Sequence, residues 1–371
     1  MFMRKCGLRG SVCGLFIVAL YLGLAQPALA WDKPLWVRQL KSAGYDFANG
    51  VATDRNGNVY IAGETTGSPF VAKYSPAGAV RWIQQFGTNS FGFLRDLTTD
   101  HDGNVYIASC SDPAFIAKLS AQGKLRWSRE IDGQQCAEGI ASDGDSNLYV
   151  VGWSMGGIEW AWAAKYSPDG ILLWIKGLGW IRGYESGATG VATDHDGNVY
   201  IAGWLRTTSD GDTDGWIAKY SAAGILRWKR YIRSISKPDY SDEIATGIAT
   251  DNAGNVYVGG STGGDAFIVK YTGGGALRWR RHLKGGYHAE GLAIDEEANV
   301  YIAGGYDKAY VAKYSAAGAL RWRRQPEIPD GDATPRDVAS DGANNVYVAG
   351  EVWPYSPVGP DAWLMKYSTR R

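Results

Sequence analysis

Short apolar runs alternate with polar punctuation along this chain, and no stretch keeps a helical period. Val59-Tyr60-Ile61-Ala62 and Val105-Tyr106-Ile107-Ala108 are such runs, and Gly, Asn, Asp or Ser-Pro closes them. Brief apolar segments bounded by turn residues predict an all-β fold. The decapeptide TDHDGNVYIA stands identically at 99–108 and 193–202. It belongs to a unit that recurs seven times, marked by an Asp followed by a Tyr: Asp54/Tyr60, Asp100/Tyr106, Asp143/Tyr149, Asp194/Tyr200, Asp251/Tyr257, Asp295/Tyr301 and Asp341/Tyr347. A Lys follows in each unit (Lys73, Lys118, Lys165, Lys219, Lys270, Lys313, Lys366). A Trp then follows in six of them (Trp82, Trp127, Trp174, Trp228, Trp279, Trp322). The Asp-to-Asp spacing runs from 43 to 57, so loops vary while strands stay fixed.

Each unit divides into four strands, in the first at Gly50–Thr53, Asn58–Gly63, Phe70–Ser75 and Ala79–Phe86. DRNGN joins the first pair and SPAG the last, both with the chemistry of tight hairpins. Units of this length with four strands predict propeller blades. The seventh unit ends at Lys366-Tyr-Ser-Thr-Arg-Arg with no room for a fourth strand, whereas Leu35–Leu40 is a fourth strand with no unit before it. The expectation is a seven-bladed β-propeller of four-stranded antiparallel blades. Leu35–Leu40 would complete the last blade, supply the seventh Trp, Trp36, and cover an open sheet edge.

The pattern D-x-x-G-N-V-Y-I-A-G followed by A-K-Y-S-x-x-G resembles the bacterial β-propeller repeat known as SBBP and is close to the NHL repeat. The resemblance spans essentially all of 31–371 and implies an architecture, with no shared reaction. A-K-Y-S-P-A-G-A-V-R-W at 72–82 is also similar to the tryptophan-docking repeat of pyrroloquinoline-quinone propellers and of an outer-membrane assembly scaffold. That pattern wants Asp at Tyr74 and Thr at Ala77, so the shared element is the Trp as a packing device, without the cofactor.

Arg4, Lys5 and Arg9, the apolar stretch Gly14–Ala25 and Ala28-Leu29-Ala30 have the order of a cleaved export signal. The expected organisation is a signal peptide at 1–30 and one propeller domain at 31–371, periplasmic or extracellular, monomeric and without a membrane span. Beyond residue 30 there remain 35 basic and 38 acidic residues, a net charge near −3 that speaks against nucleic acid as the partner. Cys110 ends a second strand and Cys136 precedes a first strand in the next unit. In an exported protein they are candidates for a disulfide, with two buried thiols as the alternative.

The Asp-x-Asp-Gly-Asn loops invite a calcium reading. The units disagree about the ligands, however: Asp295-Glu-Glu-Ala-Asn and Asp341-Gly-Ala-Asn-Asn lack the Gly or the second acid. A turn needs only a pair tolerant of left-handed backbone, so the loops read as turns. The metal candidate is instead Asp210, Asp212 and Asp214, whose D-x-D-x-D-G spacing suits Ca2+, although the twelfth position is Ser221. No other cofactor is assigned. Gly152-Trp-Ser-Met-Gly156 spells a nucleophile elbow, but it leads into another strand and no His partner is placed for it. The basic outer strands at Arg227–Arg230, Arg278–His282 and Arg321–Arg324 read as edge protection, with an anionic partner as the alternative.

Function is expected at the loop face, where the repeat varies. The residues just before strand one are Asn49, Arg95, Glu138, Thr189, Thr246, Glu290 and Arg336. The loops joining strands two and three add Trp153, Trp160, Trp204, Tyr306, Trp353 and Tyr355. Aromatics with acids and amides suit a protein, peptide or glycan ligand. The reading is an exported, non-catalytic binding or scaffold module. One alternative is a lectin. The other is a propeller lyase or hydrolase built on Glu138, Glu290, Arg95, Arg336 and His288.

Overall fold

The structure is a computed structural model. It describes residues 33–368 apart from 43, 88–90, 156–158, 179–184, 207–212, 234–241, 286–287, 306–308, 329–330 and 355–358. Its 28 described strands, β1 to β28 in chain order, are accompanied by no helix among the described residues. The all-β expectation and the four-stranded antiparallel unit both hold. In the first repeat, β2 (Asp46–Thr53), β3 (Val59–Thr65), β4 (Ser68–Tyr74) and β5 (Val80–Gln85) pair in sequence order. The fourth, fifth and sixth repeats form separate sheets of the same kind.

Two sheets depart from that simple form. The last three strands, β26 (Gly331–Ser340), β27 (Asn345–Pro354) and β28 (Asp361–Ser368), take β1 (Trp36–Leu40) as their fourth, in register Trp36↔Lys366. The second and third repeats are not separate: one residue pair, Cys110↔Cys136, joins β7 (Val105–Cys110) to β10 (Cys136–Ser142) and makes a single eight-stranded sheet.

Second strands are buried on both faces, and β3 has no exposed residue. Fourth strands are mostly exposed, as in β5. This gradient follows from stacking sheets side by side, because an inner strand has neighbours on both faces. The first strands β2, β6 (Phe93–Thr99), β10, β14 (Ser186–Thr193), β18 (Glu243–Thr250), β22 (Ala289–Ile294) and β26 pack each against the next, and β26 packs against β2.

The repeat letters turn out to be one bonded assembly. In the fifth repeat, Asp251 Oδ1 accepts the N–H groups of Ala253 and Asn255. Its Oδ2 accepts the Tyr257 hydroxyl at 2.9 Å. Lys270 Nζ lies 3.4 Å from that carboxylate and 4.6 Å from the centre of the Tyr257 ring. Every repeat has the Asp–Tyr bond and the Lys–Tyr stacking. The Asp carboxylates are therefore spent on the turn, and left-handed backbone appears there at Ser146, Ala298 and Asn344 as well as at Gly. Burial alone would raise Asp251. Its bonds to Asn255 and Tyr257 and the Lys270 ammonium outweigh that, and its carboxyl sits below the ordinary range.

The Trp series fastens neighbouring repeats. Trp228 Nε1 donates to Gly273 O of the next repeat at 2.9 Å, and its ring covers Gly275, whose φ is +81°. Equivalent bonds run from Trp36, Trp82, Trp127, Trp174 and Trp279. Trp322 lies 6.1 Å from Tyr301 by ring centres. Arg230 stacks on Trp228 and donates to Gly275 O, and Arg281 repeats this on Trp279 and Gly318. Part of the basic outer strand is thus an inter-repeat clamp, neither bare edge protection nor a free positive arc.

Candidate functional site

The seven residues placed before strand one lie inside the first strands instead. Each is the extra residue of a β-bulge, as the pairing of strand one with strand two slips at Ala48/Gly50, Leu94/Asp96, Ala137/Gly139, Ala188/Gly190, Ala245/Gly247, Ala289/Gly291 and Pro335/Asp337. A bulge turns one side chain out of the alternation and re-aims it. Here all seven are aimed at one place. Asn49, Arg95, Glu138, Thr189, Thr246, Glu290 and Arg336 line a single cavity of about 490 Å3.

In six of the seven repeats the sequence marks this bulge with the Gly after the apolar run of strand two, and the second repeat has Ser109 in its place. In the fourth repeat a Cβ on Gly203 would stand 2.0 Å from Gly187 O and 2.9 Å from the Trp216 ring, so the bulged backbone and a buried aromatic share the space of a missing side chain. Trp216 belongs to a second aromatic series, three residues before each Lys: Phe70, Phe115, Trp162, Trp216, Phe267, Tyr310 and Trp363, all buried.

The lining residues divide by what they already bond. Asn49 Nδ2 donates to Leu94 O, Thr189 Oγ1 to Ala245 O and Thr246 Oγ1 to Ala289 O, each in the next repeat. These three are ties between strands, which narrows the ligand-facing set to the charged four. Arg336 makes a bidentate pair with the fully buried Glu351, with contacts of 2.7–3.0 Å. Arg95 Nε lies 3.8 Å from Glu138 Oε2, and Trp153 Nε1 donates to Glu138 Oε1 at 3.0 Å. Glu290 has no ion-pair partner among the described residues. Burial raises its carboxyl against the opposing pull of Arg336 and His288.

Two acids that sequence reading missed lie at the same level. After the bulge residue come Gly50, Asp96, Gly139, Gly190, Gly247, Gly291 and Asp337, so only the second and seventh repeats read Arg-Asp. Asp96 accepts from Ile140 N at 2.8 Å and Leu97 N at 2.7 Å, and Asp337 likewise from Val51 N and Val338 N. Each carboxylate reaches from its own repeat to the next. Both show some surface to the cavity yet are surrounded by protein. Desolvation raises both carboxyls well above the ordinary range against the pull of those N–H groups, and the charge of Asp96 adds to the rise at Asp337. A third hidden acid, Glu64, is 7% exposed and raised by burial to about 7, opposed by Arg95.

Other candidates fall elsewhere. Trp153 and Trp204 were expected in loops but stand within the second strands β11 (Leu148–Met155) and β15 (Val199–Arg206), and the backbone oxygen of Trp204 accepts from Trp216 Nε1. Trp353, near the end of β27, is 48% exposed. Tyr306, Tyr355, Asp210 and Asp212 lie outside the described residues. Asp214 is in β16 (Thr213–Tyr220) and ion-pairs with Arg233 at 2.9 Å, so its carboxylate is already engaged. Cys110 and Cys136 form a disulfide beside the cavity. Glu138 Oε1 lies 3.1 Å from Cys136 Sγ, a contact without a shared proton because the bonded sulfur carries none. The disulfide closes a separation of 26 residues, so a Cys110→Ser/Cys136→Ser variant should unfold about 3 kcal/mol more easily in urea. An unchanged midpoint and slope would count against that contribution.

Residues 35–70 and 228–268 match the family model of the β-propeller repeat, SBBP. Among solved structures, the β-propeller domain of Cps50 (Swd1) from Myceliophteria thermophila is 10% identical with a TM-score of 0.60, covering 88% of this chain and 98% of that one. The Dos1 propeller is 11% identical with a TM-score of 0.57, covering 91% and 95% respectively. At such identities the likeness speaks for the fold alone, which is that of a β-propeller. No curated protein matches the chain.

Proposed function

We propose that this chain, built from β-propeller repeats, is an exported seven-bladed propeller that binds a protein, peptide or glycan at the mouth of its axial cavity and carries out no reaction there. Seven blades are supported by the seven bulged first strands and their continuous packing from β2 round to β26 and back. Closure by the N-terminal strand is supported by the pairing of β1 with β28. The binding reading rests on one observation above the others: seven independent bulges deliver their side chains to one cavity. Three of these side chains tie neighbouring strands, and it is the other four, Arg95, Glu138, Glu290 and Arg336, whose charges at the cavity favour recognition over simple sheet-holding.

An enzyme would draw on the same acids and bases. Two of its candidate proton carriers, Asp96 and Asp337, instead hold backbone N–H groups of the neighbouring repeat, which favours a positioning role. A glycan array and an envelope-extract pull-down, each with and without calcium, test the binding reading. Arg95→Ala and Glu290→Gln should weaken capture about tenfold or more without lowering the melting temperature. Capture unaffected by either substitution would refute the site.

A further inference from the structure

Among the described residues, one group of three metal-ligating side chains brings its donor atoms within 4.8 Å of one another: Cys110, Cys136 and Glu138. The local fold assembles it. Cys110 ends β7, Cys136 begins β10, and the two stand opposite each other where the second and third repeats touch. Glu138 is the bulge residue two places after Cys136. Its Oε1 turns back over the sulfurs, 3.1 Å from Cys136 Sγ and 3.8 Å from Cys110 Sγ. The frame of the repeat asks for neither cysteine. The matching positions hold Glu64 and Phe47 in the first repeat, and Glu351 and Thr334 in the seventh.

A disulfide alone needs no carboxylate beside it, and its sulfurs carry no proton to give Glu138. Once the S–S bond is reduced, the same three groups supply two thiolates and a carboxylate converging on one place. That donor set suits Zn2+, which takes Cys sulfur at about 2.3 Å and carboxylate oxygen at about 2.0–2.2 Å. Three protein donors leave the fourth place of a tetrahedral ion to water.

The surroundings of the cluster fit the same ion. Trp153 Nε1 donates to Glu138 Oε1 at 3.0 Å, the kind of outer bond that orients a ligating carboxylate. Arg95 Nε donates to Cys110 Sγ at 3.2 Å and lies 3.8 Å from Glu138 Oε2. Two thiolates, one carboxylate and Zn2+ leave a single negative charge, which the Arg95 guanidinium offsets. Cys136 is fully buried, whereas Glu138 and Arg95 line the cavity, so the cluster has protein behind it and the cavity in front.

We infer that the Cys110–Cys136 disulfide is one of two states of this cluster, and that the reduced state binds a Zn2+ ion through Cys110, Cys136 and Glu138. A dithiol reductant supplies the change of state. Its two sulfurs are oxidised to a disulfide, and its two protons pass to the Cys110 and Cys136 sulfurs as the bond between them breaks. Zn2+ then replaces those two protons. Metal and disulfide exclude each other, because each uses the same pair of sulfurs. The inference does not depend on what the cavity captures, so the binding reading can fail without touching it.

The test uses the full chain carrying Cys6→Ser and Cys13→Ser, which leaves Cys110 and Cys136 as its two cysteines. The protein is reduced with a phosphine, freed of reductant without air, and its thiols are counted. Zn2+ alone is then titrated against a chromophoric chelator, and Co2+ serves as an optical substitute. The expected result is two thiols and one Zn2+ per chain, with a Kd below about 1 µM. Co2+ should give the thiolate-to-metal charge-transfer absorption, and the oxidised protein should show neither signal. Trp153→Phe should weaken Zn2+ about tenfold, and Glu138→Gln should weaken it further. A disulfide that resists reduction in the folded protein, or a reduced protein that takes up no Zn2+, overturns the inference. So does uptake that is equal in the oxidised protein, uptake that ignores Glu138→Gln, or a Co2+ complex without the thiolate band.

Discussion

Asp251→Ala is expected to destabilise the protein by about 3–5 kcal/mol, the range for removing one partner of a buried charged network. The substitution strips the acceptor from two backbone N–H groups, from Asn255 Nδ2 and from the buried Tyr257 hydroxyl, and it leaves Lys270 without its counter-charge. Asp251→Asn keeps one carbonyl oxygen for the turn and loses the charge, so it should cost visibly less. Urea titration of both variants decides the point, and a loss under about 1 kcal/mol for the alanine would show that the turn holds without the carboxylate. Asp54, Asp100 and Asp194 are held low in the same way: burial pushes them up and the bonds from Asn and Tyr with the Lys charge more than reverse it. A depressed carboxyl contributes stability that is full above its unfolded pKa and is lost as pH falls through the folded value. The wild-type melting temperature should therefore drop below about pH 4, and the Asp251→Ala variant should drop less.

Trp228→Ala should cost about 3–4 kcal/mol, because the ring fills the seam between two repeats and bonds across it. Gly275 is the more revealing partner. A Cβ there would lie 2.9 Å from the Trp228 ring on a backbone of positive φ, so Gly275→Ala combines overpacking with strain and should cost about 2–4 kcal/mol. In the Trp228→Ala background the ring is gone and only the strain of about 1 kcal/mol remains. The double-mutant cycle should show a coupling of at least about 1 kcal/mol. Strict additivity would mean that the two residues do not meet as described.

The sequence carried the strands, the turns and the seven-fold marker because these are local: an Asp and a Tyr six residues apart bond within one hairpin. It also drew attention to Arg95, Glu138, Glu290 and Arg336, since variation within a repeating frame exposes positions free of the frame's demands, and these four side chains line one cavity from within the first strands. What stayed hidden was relational. That Trp228 covers Gly275 depends on how two repeats stack, and neither letter names its partner. That Asn49, Thr189 and Thr246 are ties rather than ligand contacts depends on a neighbouring carbonyl. The bulge was legible in principle from the Gly of strand two, and the pair Asp96 and Asp337 from the loss of Gly at two of seven positions. Glu64 and Glu351 read as ordinary strand ends until the bulge set the level they face.

The pairing of β1 with β28 bears on the order in which the chain assembles. A hairpin such as β2–β3 closes a few residues, whereas Trp36 and Lys366 meet only after the whole intervening chain has been gathered. Loop closure grows with the logarithm of length, so this pairing starts about 4 kcal/mol behind a hairpin of about five residues. Local sheets should therefore form first and the β1–β28 zipper last. The earliest of the described strands waits, unpaired, for the last of them.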